Sequence, residues 1–190
     1  MAAISQRIAM ATALATALAI PAEGLRQKAY YDPPGILTVC YGHTGGVVKG
    51  KVYSLAECDQ FLTDDMRKAI SAVEKCHANL PANVLAAFGD AVYNIGPSVA
   101  CNSTASRLLA SGDIDGACKQ LPRWSYAKVS GFNVQLPGLV KRRNAEMKLC
   151  LGESHDRESR RLVPWPCPSC VAPAVGLSGR VLQDAIFRIL

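Results

Sequence analysis

Three polar side chains near the N-terminus have the types and spacing of a glycosidase site. Glu23 is followed nine residues later by Asp32 and six residues after that by Thr38. Hydrolysis of a bond between two sugars needs one carboxyl group to protonate the leaving oxygen. A second carboxylate then deals with the attacking water or the developing cation. The spacing therefore indicates a candidate glycosidase site.

Two different elements are expected to hold the two acids. Glu23 ends a short apolar helix, whereas Asp32 precedes a Pro-Pro-Gly turn over residues 33–35 that begins a β-ribbon. Residues 36–41 are β-branched and aromatic enough to form a strand of that ribbon. Acids on separate elements can face each other across a cleft, which neighbours on one helix cannot do.

The rest of the chain predicts mostly helices. Ser54 followed by Glu57 has the arrangement of a capping box, which predicts a helix that runs to about residue 74. Pro81 opens an apolar stretch over residues 83–93 that stops at an Asn-Ile-Gly-Pro sequence. Further helices are expected near residues 103–111, 113–121 and 137–150. Together these elements predict a mainly helical α+β domain.

The composition fits one globular domain with a moderately basic surface. A chain of 190 residues is too short for two comfortable domains, and 19% charged residues is an ordinary share. The net charge of +6 would favour a polyanionic partner such as a bacterial wall or membrane face, and it fits a solvated face equally well. Because the basic residues are scattered, nucleic acid is not expected as a partner.

Eight cysteines in a domain of this size favour disulfides and therefore an oxidising compartment. Sequence alone does not fix their connectivity. The simplest pairing joins neighbours along the chain: Cys40–Cys58, Cys76–Cys101 and Cys118–Cys150. Cys167 and Cys170 have the spacing of zinc ligands, but without a second such pair no metal is expected.

The segment around the two acids resembles a known enzyme family. The run EGLRQKAYYD (residues 23–32), followed by GILTVCYGHTGG (residues 35–46), is similar to the phage-type lysozymes, glycoside hydrolase family 24. Further similar blocks follow in the same order along the chain: residues 53–58, 86–96, 112–118, 121–124 and 138–146. The resemblance covers roughly residues 20–151, and its collinear blocks argue against a chance match.

The resemblance implies a lysozyme-like fold, in which a small β-ribbon lobe and a helical lobe flank a substrate cleft. It implies that Glu23 donates a proton to the glycosidic oxygen, that Asp32 orients or activates water, and that Thr38 holds this water. Partial burial in the cleft would help Glu23 to keep its proton. The reaction would be hydrolysis of the β-1,4 bond between N-acetylmuramic acid and N-acetylglucosamine, without metal or cofactor.

Several other residues receive supporting roles. Tyr41, Asn94 and Arg143 are the candidates for substrate contact. A helix arginine, either Arg142 or Arg143, is expected to pair with Glu23 across the cleft. His43 is expected to support the β-ribbon and not to act as a general base.

Residues 8–22 form an uncharged, apolar run behind Arg7 and resemble a secretory signal. The run could be a cleaved signal peptide, a membrane anchor or a helix of the folded domain. Its 15 residues would span about 22 Å as a helix, which is short of the roughly 30 Å hydrocarbon core. Cleavage would leave Glu23 beside a frayed terminus. A segment that first directs export and later carries Glu23 explains these facts best, and this resembles the signal-arrest-release (SAR) endolysins.

We therefore expect an export segment over residues 1–22, a muramidase domain over residues 23–151 and a tail of unknown role over residues 152–190. The chain would be a monomeric endolysin that is exported to the periplasm, is tethered at first to the inner membrane, and degrades peptidoglycan to lyse the host. Two alternatives stay open: a lytic transglycosylase acting on the same bond, and a non-catalytic cationic protein that disrupts wall or membrane. Asp32 together with Thr38 favours hydrolysis, because both have a role only if water attacks.

Overall fold

The computed structural model describes residues 2–32, 35–129 and 131–153, which all belong to one compact unit. The turn expected at residues 33–34 and the tail from residue 154 onward, with its C-x2-C pair, lie outside the described residues. The helices within the described residues are α1 (Ala2–Ala19), α2 (Leu55–Cys76), α3 (Ala82–Ile95), α4 (Ser98–Cys101), α5 (Thr104–Ala110), α6 (Ile114–Cys118) and α7 (Pro137–Cys150). The strands form two separate antiparallel pairs: β1 (Arg26–Tyr31) with β2 (Leu37–Cys40), and β3 (Tyr126–Val129) with β4 (Phe132–Gln135).

Helix α1 packs against α3, α2 and α7 as an element of the folded domain. Ala11, Ala15 and Ala19 recur at every fourth position, so they share one face of the helix, and all three are fully buried. Near the start of α1 the guanidinium of Arg7 forms two hydrogen bonds with Glu74 on α2, at 2.7 and 2.8 Å. Among the described residues, no helix has both the length and the apolar character that crossing a membrane requires.

The β-ribbon lobe follows α1 directly. β1 and β2 pair with Tyr30 opposite Thr38, and the register is irregular between Arg26 and Tyr30. The disulfide between Cys40 and Cys58 ties the end of β2 to the first turn of α2. The ribbon is thereby fixed to the helical lobe at the point where the two lobes meet.

The predicted capping box begins α2. The Ser54 hydroxyl accepts from the Glu57 backbone N–H, and the Glu57 carboxylate accepts from the Ser54 backbone N–H. The hydrogen bond from Lys51, followed by those from Ser54, lowers the pKa of Glu57 from 4.5 to about 2. The helix start was therefore predictable from two residues three positions apart.

Helices α2 and α3 cross closely and supply much of the core. Gly89 on α3 lies against Ile70 on α2, and a Cβ at Gly89 would overlap the Ile70 Cδ1 atom. Phe88 and Leu85 of α3 are fully buried beside this crossing. A larger residue at position 89 would therefore force the Ile70 side chain to move within the core.

The predicted helices in the second half of the chain are present, with two additions. The stretch expected as a helix over residues 113–121 is α6 followed by a short 3-10 helix, Leu121–Trp124. The β3–β4 hairpin and α4 were not predicted. The remaining two expected disulfides are also confirmed, Cys76–Cys101 and Cys118–Cys150.

Candidate active site

Glu23 lies just beyond the end of α1, and its position depends on that helix. Its backbone N–H donates to the Ala19 carbonyl at 2.9 Å, which continues the hydrogen bonding of the last turn. The Arg142 guanidinium of α7 donates to the Glu23 carboxylate through Nη1 at 2.6 Å. The side chain of Glu23 is 25% exposed. Helices α1 and α7, which are far apart in the sequence, therefore hold one carboxyl group between them.

Arg142 is itself held by Asp90 of α3. Its Nε and Nη2 atoms each donate to one Asp90 carboxylate oxygen at 2.9 Å, so the pair is bidentate. The Asp90 side chain is completely buried and that of Arg142 is 5% exposed. Burial alone lowers the pKa of Arg142, but the hydrogen bonds to Asp90 and then to Glu23 outweigh it and raise that pKa above its ordinary value.

Asp32 and Thr38 come together at the turn end of the β-ribbon. One Asp32 carboxylate oxygen accepts from the Ile36 backbone N–H at 2.7 Å, and the other lies 3.4 Å from the Thr38 hydroxyl. The same hydroxyl lies 3.1 Å from the Ile36 carbonyl. These contacts fix the orientation of the carboxylate against the ribbon backbone.

A cavity of about 580 Å³ connects the two acids. Glu23 contributes to it from the end of α1, and Asp32 contributes from the end of β1. Its full lining is Glu23, Gly24, Arg26, Tyr30, Tyr31, Asp32 and Gly42. A second cavity of about 510 Å³ shares Glu23 and is bordered by Asn94 and Arg142. Glu23 therefore lies where two neighbouring surface cavities meet.

The three residues predicted to contact substrate occupy different environments. Asn94 borders the second cavity, and its amide oxygen accepts from Arg143 at 3.1 Å. Tyr41 is 6% exposed, and its hydroxyl lies 3.4 Å from Asp59. The Arg143 side chain is fully buried and lies 2.6 Å from Glu146. This burial corrects the expectation for Arg143, because a side chain without exposed surface cannot touch a polysaccharide.

Tyr93 and His43 lie outside the lining of both cavities and contact the segment that follows β2. The Tyr93 hydroxyl donates to the Tyr41 carbonyl at 2.6 Å, and burial followed by the nearby Glu23 raises the pKa of Tyr93. His43 lies 2.6 Å from Asp65 through Nδ1 and 2.7 Å from the Gly45 carbonyl through Nε2. Its ring also stacks on Phe61 at 4.2 Å. These contacts make His43 a support for the ribbon.

Sequence reasoning missed Asp90. It had left the partner of Glu23 open between two arginines, and the structure selects Arg142. The available signal was a carboxylate at the centre of an apolar helix, because such a group is rarely buried without a cationic partner. In this chain that partner is the arginine that holds Glu23.

The Phage lysozyme family pattern matches residues 21–146, which include every residue of this site. The chain belongs to the phage lysozyme family. It is 40% identical over 131 residues to the SAR-endolysin of Bacteriophage PS119, across 68% of this chain and 76% of that protein. It is 35% identical over 152 residues to the SAR-endolysin of Pseudomonas phage phiKMV, across 80% of this chain and 93% of that protein.

Solved structures agree with this assignment. The muramidase domain of SpmX from Asticaccaulis excentricus matches this phage lysozyme with a TM-score of 0.67 at 28% identity, across 72% of this chain and 94% of that chain. The active form of the P1 phage endolysin Lyz matches with a TM-score of 0.60 at 26% identity, across 80% of this chain and 96% of that chain. The predicted family and the lysozyme-like α+β fold are confirmed.

Proposed function

We propose that this phage lysozyme is an endolysin that hydrolyses the β-1,4 bond between N-acetylmuramic acid and N-acetylglucosamine in peptidoglycan. The observation that carries the proposal is the shared cavity, which receives Glu23 and Asp32 from two separate elements. The relatives named SAR-endolysin and the muramidase domain of SpmX support the same substrate class.

Glu23 is proposed as the general acid. Its contact with Arg142 fixes the carboxyl group, and its partly buried position keeps one edge open to the cavity. During cleavage it would give its proton to the glycosidic oxygen as the bond to the sugar breaks. Arg142 would hold this acid in place without taking part in bond breaking.

Asp32 and Thr38 are proposed to handle the water. The Asp32 carboxylate would accept a proton from water as the water attacks the anomeric carbon, with inversion of configuration. Thr38 is 3% exposed and lines neither cavity, so it would act on that water through Asp32, whose carboxylate lies 3.4 Å from its hydroxyl. Of the residues expected to contact the glycan, Asn94 borders a cavity that reaches Glu23, and it is retained as a contact.

Glu23→Gln tests this proposal because it removes the proton with little change in size. Purified peptidoglycan is digested with wild type and variant, and the soluble fragments are identified by mass spectrometry. The expected result is reducing muramic acid ends from wild type and a loss of at least about 100-fold in rate for Glu23→Gln, the scale of general acid catalysis. The matched control is Glu153→Gln, because Glu153 is exposed and outside both cavities that reach Glu23.

Three outcomes would count against the proposal. Anhydro ends from wild type would indicate a lytic transglycosylase. Equal release of fragments by both proteins would remove Glu23 from the mechanism. Cell killing without glycan cleavage would favour the cationic, membrane-disrupting alternative.

The N-terminal segment is proposed to act twice. Residues 1–22 would direct export and tether the chain at the inner membrane. After release they would form α1 and pack against the muramidase domain of residues 23–151. The tail over residues 152–190 has no assigned role. The dependence of Glu23 on α1 supports this order, since cleavage before residue 22 would remove the helix that positions the acid. The protein would act as a periplasmic monomer.

Fractionation of expressing cells tests this part. The full-length chain should appear first in the membrane fraction and later in the soluble periplasm, with its N-terminal residues intact. A shortened N-terminus in the active protein would refute the double use of the segment.

A further inference from the structure

A buried charge pair lies directly behind the proposed acid. Asp90 contacts the Nε and Nη2 edge of the Arg142 guanidinium, and Glu23 contacts Nη1 of the same group. Asp90 has no exposed surface, so water does not compensate its charge. One guanidinium therefore serves two carboxyl groups, of which only Glu23 reaches a cavity.

This arrangement resolves a conflict in the proposed mechanism between the contact with Arg142 and the need for a protonated Glu23. A cation 2.6 Å from Glu23 favours the ionised carboxylate, whereas a general acid must carry a proton before the reaction. An arginine also remains charged, because its guanidinium does not lose a proton in proteins. Arg142 alone would therefore fix the position of Glu23 and at the same time hinder its chemistry.

We infer that Asp90 is a positioning residue that offsets the charge of Arg142, so that Arg142 can orient Glu23 while Glu23 keeps the proton that it donates. The inference rests on the proposed role of Glu23 as the general acid. Asp90 satisfies two of the guanidinium donors and supplies the compensating negative charge at the buried edge. The Nη1 atom of Arg142 then orients Glu23 through its hydrogen bond, while the net charge of the Arg142–Asp90 pair stays small.

Other charged and titratable groups face Glu23 from three elements, and none replaces Asp90. They are Arg26, Tyr30, Tyr31 and Asp32 on or after β1, Tyr93 on α3, and Lys141 on α7. Glu146 lies behind the pair, 3.7 Å from Nε of Arg142 and 2.6 Å from Arg143. Glu146 is therefore closer to Arg143 than to Arg142, whereas Asp90 makes both of its contacts with Arg142.

The size of the effect follows from the spacing. At an effective dielectric constant of about 20, a unit charge at a separation of roughly 6 Å shifts a proton equilibrium by about 2 pH units. The site is partly open to solvent, which screens the interaction, so the expected displacement of the measured pH profile is between about 1 and 2 units.

Asp90→Asn is the variant that tests the inference, because it keeps the shape of the side chain and removes its charge. The pH dependence of kcat/KM on peptidoglycan is measured for the full-length chain. We expect the alkaline limb of the profile to move to lower pH by about 1 to 2 units. Asp64→Asn removes the same charge from the half-exposed surface of α2 and should leave the limb in place.

A double variant keeps the test decisive if Asp90→Asn folds poorly. Asp90→Asn combined with Arg142→Gln removes both charges, and replacing a whole buried pair is tolerated better than removing one partner. Because Arg142 lies closer to Glu23 than Asp90 does, Asp90 offsets its charge only in part, and the alkaline limb of the double variant should rise by no more than about one pH unit above the wild-type limb.

The outcomes separate this inference from the proposed function. An unchanged alkaline limb in Asp90→Asn, with only the maximal rate reduced, would make Asp90 a purely structural residue and overturn the inference. A limb more than about one unit above wild type in the double variant would show that Arg142 was never offset. Failure of the proposed function would appear differently, as equal activity of wild type and Glu23→Gln.

Discussion

Removing the guanidinium of Arg7 tests how firmly α1 is attached to the rest of the domain. Arg7 donates to both carboxylate oxygens of Glu74, at 2.7 and 2.8 Å, and to the Leu80 carbonyl at 2.8 Å. The two charged side chains are 18% and 19% exposed, so solvent screens the pair only in part. Arg7→Met keeps the aliphatic stem and deletes these three hydrogen bonds.

The expected cost is about 2 kcal/mol, between the value for an exposed ion pair and that for fully buried charged hydrogen bonds. For a domain of this size the melting temperature should fall by about 4 to 8 °C. Thermal unfolding of Arg7→Met, Glu74→Gln and the double variant gives the coupling energy of the pair. Arg67→Met is the matched control, because Arg67 pairs with Asp64 on α2 while 62% exposed.

A drop below about 0.5 kcal/mol for Arg7→Met, or full additivity with Glu74→Gln, would refute this reasoning. It would mean that the ion pair does not hold α1 in place. The packing of the α1 alanines would then be the main attachment.

Three further predictions concern packing, cross-links and pH. Gly89→Ala should destabilise the domain by about 1 to 3 kcal/mol in urea unfolding, because its methyl group overlaps the side chain of Ile70, which is itself buried. An unchanged urea midpoint would contradict the tight crossing of α2 and α3. Replacing Cys76 and Cys101 by serine removes the disulfide that closes a 25-residue loop, and the free energy of unfolding should fall by about 3 kcal/mol. Reduction of all disulfides in the wild type should lower it further, and a double variant as stable as wild type would disprove this prediction. Glu57 stabilises the folded state above pH 4.5, and this contribution is lost as the pH falls toward 2. The melting-temperature advantage of wild type over Glu57→Gln should therefore shrink across that interval, and a constant difference would refute it.

Local signals in the sequence were sufficient for many elements. The capping box at Ser54 located the start of α2, because both of its hydrogen bonds depend on residues only three positions apart. Disulfide pairing followed the order of the cysteines along the chain, so the simplest pairing was the correct one. Asp32 and Thr38 are brought together by the register of a single hairpin, which a short stretch of sequence determines.

The missed features have different physical causes. The β3–β4 hairpin carried a usable signal, since two short runs flank Ser130-Gly131, and Gly131 adopts a positive φ of 87°. The Asp90–Arg142 pair had no local signal for its geometry, because its members lie 52 residues apart and meet only when α3 packs on α7. Likewise, Arg143 is buried because α7 turns that side of the helix toward the core, and this rotation is set by packing against distant elements.

The central claim is that water cleaves the glycan with the help of Glu23 and Asp32. The most direct measurement is digestion of peptidoglycan by wild type in water enriched in oxygen-18, with the fragments weighed by mass spectrometry. The account predicts reducing muramic acid ends that carry one heavy oxygen from the solvent, and no such product from Glu23→Gln. Unlabelled anhydro-muramic ends would contradict it, because no water would then have entered the bond.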